Sequence, residues 1–211
     1  MGGAIGGSGG GGGGGGAKNY FSNGTFETST NGVLVYNDGT YTDGTGGVVG
    51  TEFQISVNGS ATRLLEGSNS LLVQKAGVDV SGFGYSFEPD TIDPIDRGKE
   101  LVLKFAYKSD ANIADADYEV KAYDITNAEI ITGIRAINGA NADNTLIPGT
   151  TEYKFGIQTK TTTADLRVSV HVASDSMTGT GAFLSIDELS LGPADPITVA
   201  NVGDWQSYTP A

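Results

Sequence analysis

Between Asp165 and Pro193 the chain reads DLRVSVHVASDSMTGTGAFLSIDELSLGP, and the alternation in this stretch limits the fold more than any other feature. Leu166, Val168, Val170 and Val172 alternate with Arg167, Ser169 and His171. A period of two puts the first set on one face of a strand and the second set on the other. The apolar face belongs in a core, and the polar face is expected in water. A Ser/Asp/Thr/Gly cluster follows. Phe183 to Leu191 is then apolar enough for a terminal strand, and a change of phase near Asp187 predicts a bulge. The two strands are expected to form the closing β-hairpin of an all-β domain.

The same period recurs upstream. Leu101, Leu103, Phe105 and Tyr107 alternate with Val102, Lys104, Ala106 and Lys108, which predicts a central strand. Tyr118, Val120 and Ala122 stand opposite Glu119, Lys121 and Tyr123, with Glu129 to Arg135 as the expected hairpin partner. Tyr153, Phe155 and Ile157 alternate with Lys154, Gly156 and Gln158. Shorter β segments are expected at Val33–Tyr36, Glu52–Val57, Arg63–Glu66, Ser70–Lys75 and Phe83–Phe87, separated by turn signals such as Asn58-Gly59 and Gly67-Ser68. Asp90 to Lys99 contains Pro94 and connects strands rather than continuing one. Only Ala111 to Ala116 is locally helix-friendly, and it is too short to be stable alone. About ten short strands between turn signals predict an antiparallel β-sandwich of the jelly-roll type.

The ends of the chain differ from this middle. Met1 to Ala17 is almost entirely glycine, unbroken from Gly9 to Gly16, with nothing to bury and a large backbone entropy to lose; it reads as a linker. The folded unit is expected over residues 18–193, opening with KNYFSNGTFET, where Tyr20, Phe21 and Phe26 anchor and Asn23-Gly24 turns. Residues 194–211 read as a connector or docking tail. Trp205, the only tryptophan, and Tyr208 are expected to dock on the sandwich or to contact a neighbouring subunit.

Charge and composition exclude several functions. With 12 basic and 25 acidic residues the formal charge is -13, which repels nucleic acid and anionic membrane. No apolar run approaches the roughly 20 residues that cross a bilayer. The absence of cysteine excludes a disulfide framework, a thiolate metal site and a thiol nucleophile. Catalysis has little support. His171, the single histidine, lies on the polar face of a strand, where a solvated side chain or a cross-strand contact is the plainer reading. Paired carboxylates at roughly 5 to 9.5 Å, as a glycosidase needs, arise by chance among so many acids.

One long loop stands out. The Gly-rich stretch from Asn31 to Gly50 carries Tyr36, Asp38, Tyr41 and Asp43, either as turn formers and surface aromatics or as binding residues. In a carbohydrate-binding role, Tyr36, Tyr41 and Tyr85 would stack on sugar rings while nearby Asp or Asn side chains bond the hydroxyls.

The segments KNYFSNGTFE, DGTGG, SLLVQKAG, ELVLKFAYKSD, DYEVKAYDITNAEII, LRVSVHVAS and FLSIDELSLGP together resemble a module that recurs in bacteriophage virion proteins, chiefly tail fibres and adhesion or decoration components. The resemblance spans Lys18 to Pro193, and the module is similar to a galactose-binding or carbohydrate-binding-module jelly roll. The terminal DWQSYTP is similar to a segment that links or opens further domains in phage tail proteins. The resemblance implies a non-enzymatic virion module on the particle exterior, contacting other virion subunits and host surface glycans, as a homotrimer in a fibre. A secreted carbohydrate-binding module and a purely structural spacer are the alternatives. The family pattern has a tryptophan soon after its opening Asn-Phe-Glu motif, whereas Val33 to Tyr36 stands at that place here, so a tryptophan-based sugar platform does not carry over. The resemblance also implies a structural calcium between Glu27 and Asp187, with backbone carbonyls of Asn23 or Thr25 completing the shell. Two carboxylates about 4 Å apart repel by about 4 kcal/mol at an effective dielectric of 20, so that closeness requires a cation, a proton or a basic neighbour. The alternative is that each acid is separately solvated or hydrogen-bonded.

Overall fold

A computed structural model describes residues 18–37, 41–51, 53–59, 67–76, 83–109, 118–147, 152–172 and 183–194. The glycine-rich start, the segments expected at 63–66 and 111–116, and the tail with Trp205 and Tyr208 lie outside the described residues.

The chain forms β1 (Val33–Asn37), β2 (Phe53–Asn58), β3 (Ser70–Lys75), β4 (Phe83–Phe87), β5 (Glu100–Ser109), β6 (Tyr118–Asp124), β7 (Glu129–Ile130), β8 (Ile134–Asn138), β9 (Glu152–Gln158), β10 (Leu166–Val172) and β11 (Phe183–Pro193). They assemble into two antiparallel sheets, ordered β1-β4-β10-β6-β7 and β2-β3-β11-β5-β9-β8. The fold is an all-β jelly-roll sandwich.

Strand parity explains the core. The residues Leu101, Leu103, Phe105 and Tyr107 of β5 share one buried cluster with Leu166, Val168, Val170 and Val172 of β10. Fully burying each of these larger side chains contributes about 1.5 to 3 kcal/mol before entropy is subtracted. Aromatic rings add to the packing: Phe105 stacks on Tyr153 of the neighbouring strand with centroids 5.3 Å apart, and Tyr85 meets Phe53 of the opposite sheet edge-on at 6.0 Å.

Of the two expected hairpins, the closing one is absent and the other is cut to two residue pairs. β10 lies between β4 and β6 in the five-stranded sheet, whereas β11 lies between β3 and β5 in the six-stranded sheet. Each strand thereby pairs both of its edges within its own sheet. Residues 129–135 divide in the same way: β7 pairs with β6 for two residues, and β8 then crosses to pair with β9.

The expected bulge is present. The register of β11 against β5 shifts between Asp187 and Ser190, and Glu188 sits at φ 50°. The first folded residues dock there. The Tyr20 N–H donates to the Leu191 carbonyl at 2.7 Å, and the Leu189 N–H donates to the Gly24 carbonyl at 2.9 Å. A Cβ at Gly24 would lie 1.9 Å from the Leu189 oxygen, so only glycine permits this approach. On its far side, buried Tyr20 donates its hydroxyl to Asp96 at 2.7 Å and accepts from the Asp93 N–H at 3.2 Å. Burial, reinforced by the hydrogen bond to Asp96, pushes the Tyr20 phenol up to about 12, and that bond holds the Asp96 carboxyl below its ordinary range.

Candidate functional site

With inward positions taken by the core, polar side chains gather on the outer faces of the sheets. β10 presents Arg167, Ser169 and His171 outward from the centre of its sheet. Register sets Tyr123, Lys121 and Glu119 of β6 beside them on one side, and Ser86 and Gly84 of β4 beside Ser169 and His171 on the other. This is a polar tract with small residues along one flank.

The tract is not open to water. Arg167 is 8% exposed, Ser169 0% and His171 6%, against the expectation of a solvated face. The cover is the segment Tyr41 to Thr45, which lies across the sheet as a strap. The Tyr41 hydroxyl and Ser169 Oγ are 3.1 Å apart, and the Tyr41 ring meets the His171 ring edge-on at 5.9 Å. Lys121 Nζ stands 5.2 Å from the centre of the Tyr41 ring. Arg167 donates to the Asp43 carbonyl through Nη1 and to Glu88 Oε1 through Nε and Nη2. Ser86 Oγ donates to the Gly44 carbonyl at 3.0 Å. The Asp43 carboxylate stiffens the turn by accepting from the Thr45 N–H at 2.9 Å and its hydroxyl at 2.6 Å. The Gly47 N–H donates to the Val35 carbonyl at 3.1 Å and ties the segment to the sheet edge.

The strap's backbone is strained to fit. Tyr41 adopts φ 53°, a left-handed conformation rare outside glycine. Gly44 adopts φ 77°, and a Cβ there would meet Ser169 Oγ at 2.9 Å. Beyond the strap, Lys121 and Glu119 pair at 2.8 Å with roughly a quarter of each side chain exposed, and His171 Nε2 is 3.8 Å from the same Glu119 oxygen. His171 is thus a cross-strand contact under a tyrosine ring.

The structure brings together only part of the predicted set. Tyr41 and Asp43 meet the polar tract. Tyr85 does not: it shares the inward parity of Phe87, is fully buried, and packs between Phe53 and Phe87, so it offers no ring face to a sugar. Tyr36 belongs to β1 opposite Gly84, but its side chain and the whole of Asp38 lie outside the described residues. Alternation placed Arg167, Ser169 and His171 on the outer face of their strand; their burial depends on a distant loop, which no local pattern reveals.

Glu27 and Asp187 both adjoin the start of β3. Glu27 accepts from the Ser68 N–H at 3.1 and 3.2 Å and from the Asn69 N–H at 3.0 Å. Asp187 is buried one step past the Ile186–Leu71 pair, and its Oδ1 accepts from the Glu188 N–H at 2.8 Å. The residues beside them, Phe26 and Glu188, are left-handed at φ 49° and 50°. Among the described residues no group of three or more His, Cys, Asp or Glu side chains could hold a metal ion. Each acid thus accepts hydrogen bonds from backbone N–H groups of its own.

No family model matches the sequence, and no curated protein does. Solved structures do match. A xylan-binding domain of carbohydrate-binding-module family 22 is 16% identical, with a TM-score of 0.52 over 85% of this chain and 98% of that chain. The C-terminal family 22 carbohydrate-binding module of Clostridium thermocellum Xyn10B is 16% identical with a TM-score of 0.51 over the same shares. The N-terminal tandem of family 22 modules from Paenibacillus barcinonensis Xyn10C is also 16% identical, with a TM-score of 0.50 over 85% of this chain and 46% of that chain. The fold of this chain is therefore the β-sandwich of carbohydrate-binding modules.

Proposed function

We propose that the chain is a non-enzymatic carbohydrate-binding module whose glycan face is the outer face of the five-stranded sheet. The observation that carries this reading is the polar tract of Arg167, Ser169 and His171, flanked by Glu119 and Lys121, beneath the strap of Tyr41 to Thr45. Its guanidinium, hydroxyl and imidazole groups are of the kind that bond the hydroxyls of a pyranose. The formal charge of -13 favours a neutral glycan over an acidic one. One of the similar structures is by name a xylan-binding domain, so xylan is the first probe. Affinity electrophoresis through gels containing soluble xylan, mixed-linkage β-glucan or galactan tests the reading. Retardation of the intact chain or of Tyr41→Ala by at least one of them supports it, and unchanged mobility of both in all three at high polysaccharide concentration overturns it.

A second reading places the module in a virion appendage, contacting other virion subunits on the particle exterior as a trimer. It rests on the run of segments from Lys18 to Pro193 that resembles phage modules, with a glycine-rich stretch ahead of it. Sedimentation equilibrium of the intact chain tests the trimer, and a monomer at every concentration removes its support. In either setting Glu27 and Asp187 would hold a structural calcium, whose chemistry is to neutralise the two acids and tie the first folded segment to β11. Metal analysis after exhaustive dialysis, with a melting curve in chelator, decides this. Absence of bound calcium together with an unshifted melt ends the assignment.

A further inference from the structure

We infer that Tyr41 to Thr45 is an internal occupant of the glycan face, which a glycan must displace before it reaches Arg167, Ser169 and His171. The inference rests on the glycan reading and adds its regulation. Tyr41 is 1% exposed and covers His171 and Ser169 with a ring and a hydroxyl, the two kinds of group a sugar would bring. The Asp43 and Gly44 carbonyls take hydrogen bonds from Arg167 and Ser86 that sugar hydroxyls would otherwise accept. The strap therefore occupies with its hydroxyl and carbonyl oxygens the hydrogen-bonding positions that sugar oxygens would take.

Its hold is built to be reversible. Tyr41 is left-handed without being glycine, a conformation that surrounding contacts must maintain and that relaxes on release. The strap's flank is open: Thr42 is exposed, and Val48 and Val49 just beyond it are 60% and 56% exposed. The apparent affinity of such a face is its intrinsic affinity reduced by the fraction of molecules in which the strap is off. Weakening the strap should therefore strengthen binding, whereas a Tyr41 ring that stacks on the sugar itself would make the same change weaken it.

Calorimetric titration with xylohexaose of the intact chain, Tyr41→Ala and Gly44→Ala separates these cases. Tyr41→Ala removes the plug, whereas Gly44→Ala pushes the strap off from a different point, because its methyl would meet Ser169 Oγ. Both variants should bind about tenfold tighter or better than the unaltered chain. Melting curves establish that each variant is folded. Hydrogen exchange supplies an independent readout: the Gly47 amide, which donates to Val35, should exchange faster when xylohexaose is bound. If the unaltered chain binds but both variants bind equally or more weakly, or if Gly47 becomes more protected, the strap is part of the binding surface and this inference falls while the glycan reading stands. If neither the unaltered chain nor either variant binds, the glycan reading fails and takes the inference with it.

Discussion

Tyr85 and Tyr41 are both buried tyrosines, yet their burial has different meanings. Tyr85 fills the centre of the sandwich against Phe53 and Phe87. Its replacement by alanine should lower stability by about 3 to 5 kcal/mol in urea unfolding, as truncation of a buried aromatic does. A stability change under about 1 kcal/mol together with lost glycan binding would instead return it to the recognition surface. Tyr20 permits a prediction in pH. Its phenol is pushed up to about 12 from an ordinary 10.0, so the fold favours the protonated form. The stability that this contributes is intact below pH 10 and is lost as pH rises toward 12. Tyr20→Phe should therefore unfold less steeply with pH across that interval, and an unaltered alkaline slope would show that the Tyr20–Asp96 bond is not the cause.

At the scale of elements, alternation made the inward residues legible and left the pairings open. Leu101, Leu103, Phe105 and Tyr107, and Leu166, Val168, Val170 and Val172, face the core because a period of two sets each group on one face of its strand. Which strands adjoin is a different matter. β10 and β11 succeed one another in sequence but belong to different sheets, since chain proximity does not outweigh the gain from two long neighbours each. The bulge at Asp187 was readable from a break in phase, but its use was not: it receives the docked N-terminal segment through Gly24 and Leu189. Gly24→Ala should accordingly cost about 1 to 3 kcal/mol through overpacking against the Leu189 carbonyl. A variant of unchanged urea midpoint would show that the segment is not held there.

For the molecule as a whole, the sandwich was readable from short alternating segments, whereas the candidate site was readable only in pieces. Tyr41 and Asp43 stood out because they lie in a long loop, and His171 because it is the only histidine. That the loop lies on the histidine, with Arg167 fastening it, depends on contacts between residues more than a hundred positions apart. Local patterns carry no record of such contacts. The two outer faces also differ in a way that allows one experiment to choose between them. The six-stranded sheet sets Lys104 directly opposite Lys154, with Glu152 bridging both at 2.9 Å, whereas the five-stranded sheet carries the arginine, serine and histidine tract. The deciding experiment is titration of soluble xylan into the unaltered chain, Arg167→Ala and Lys154→Ala, each verified as folded. A glycan face on the five-stranded sheet requires binding that Arg167→Ala abolishes and Lys154→Ala leaves within about twofold. Binding lost in Lys154→Ala and kept in Arg167→Ala would move the glycan to the opposite sheet and refute that assignment.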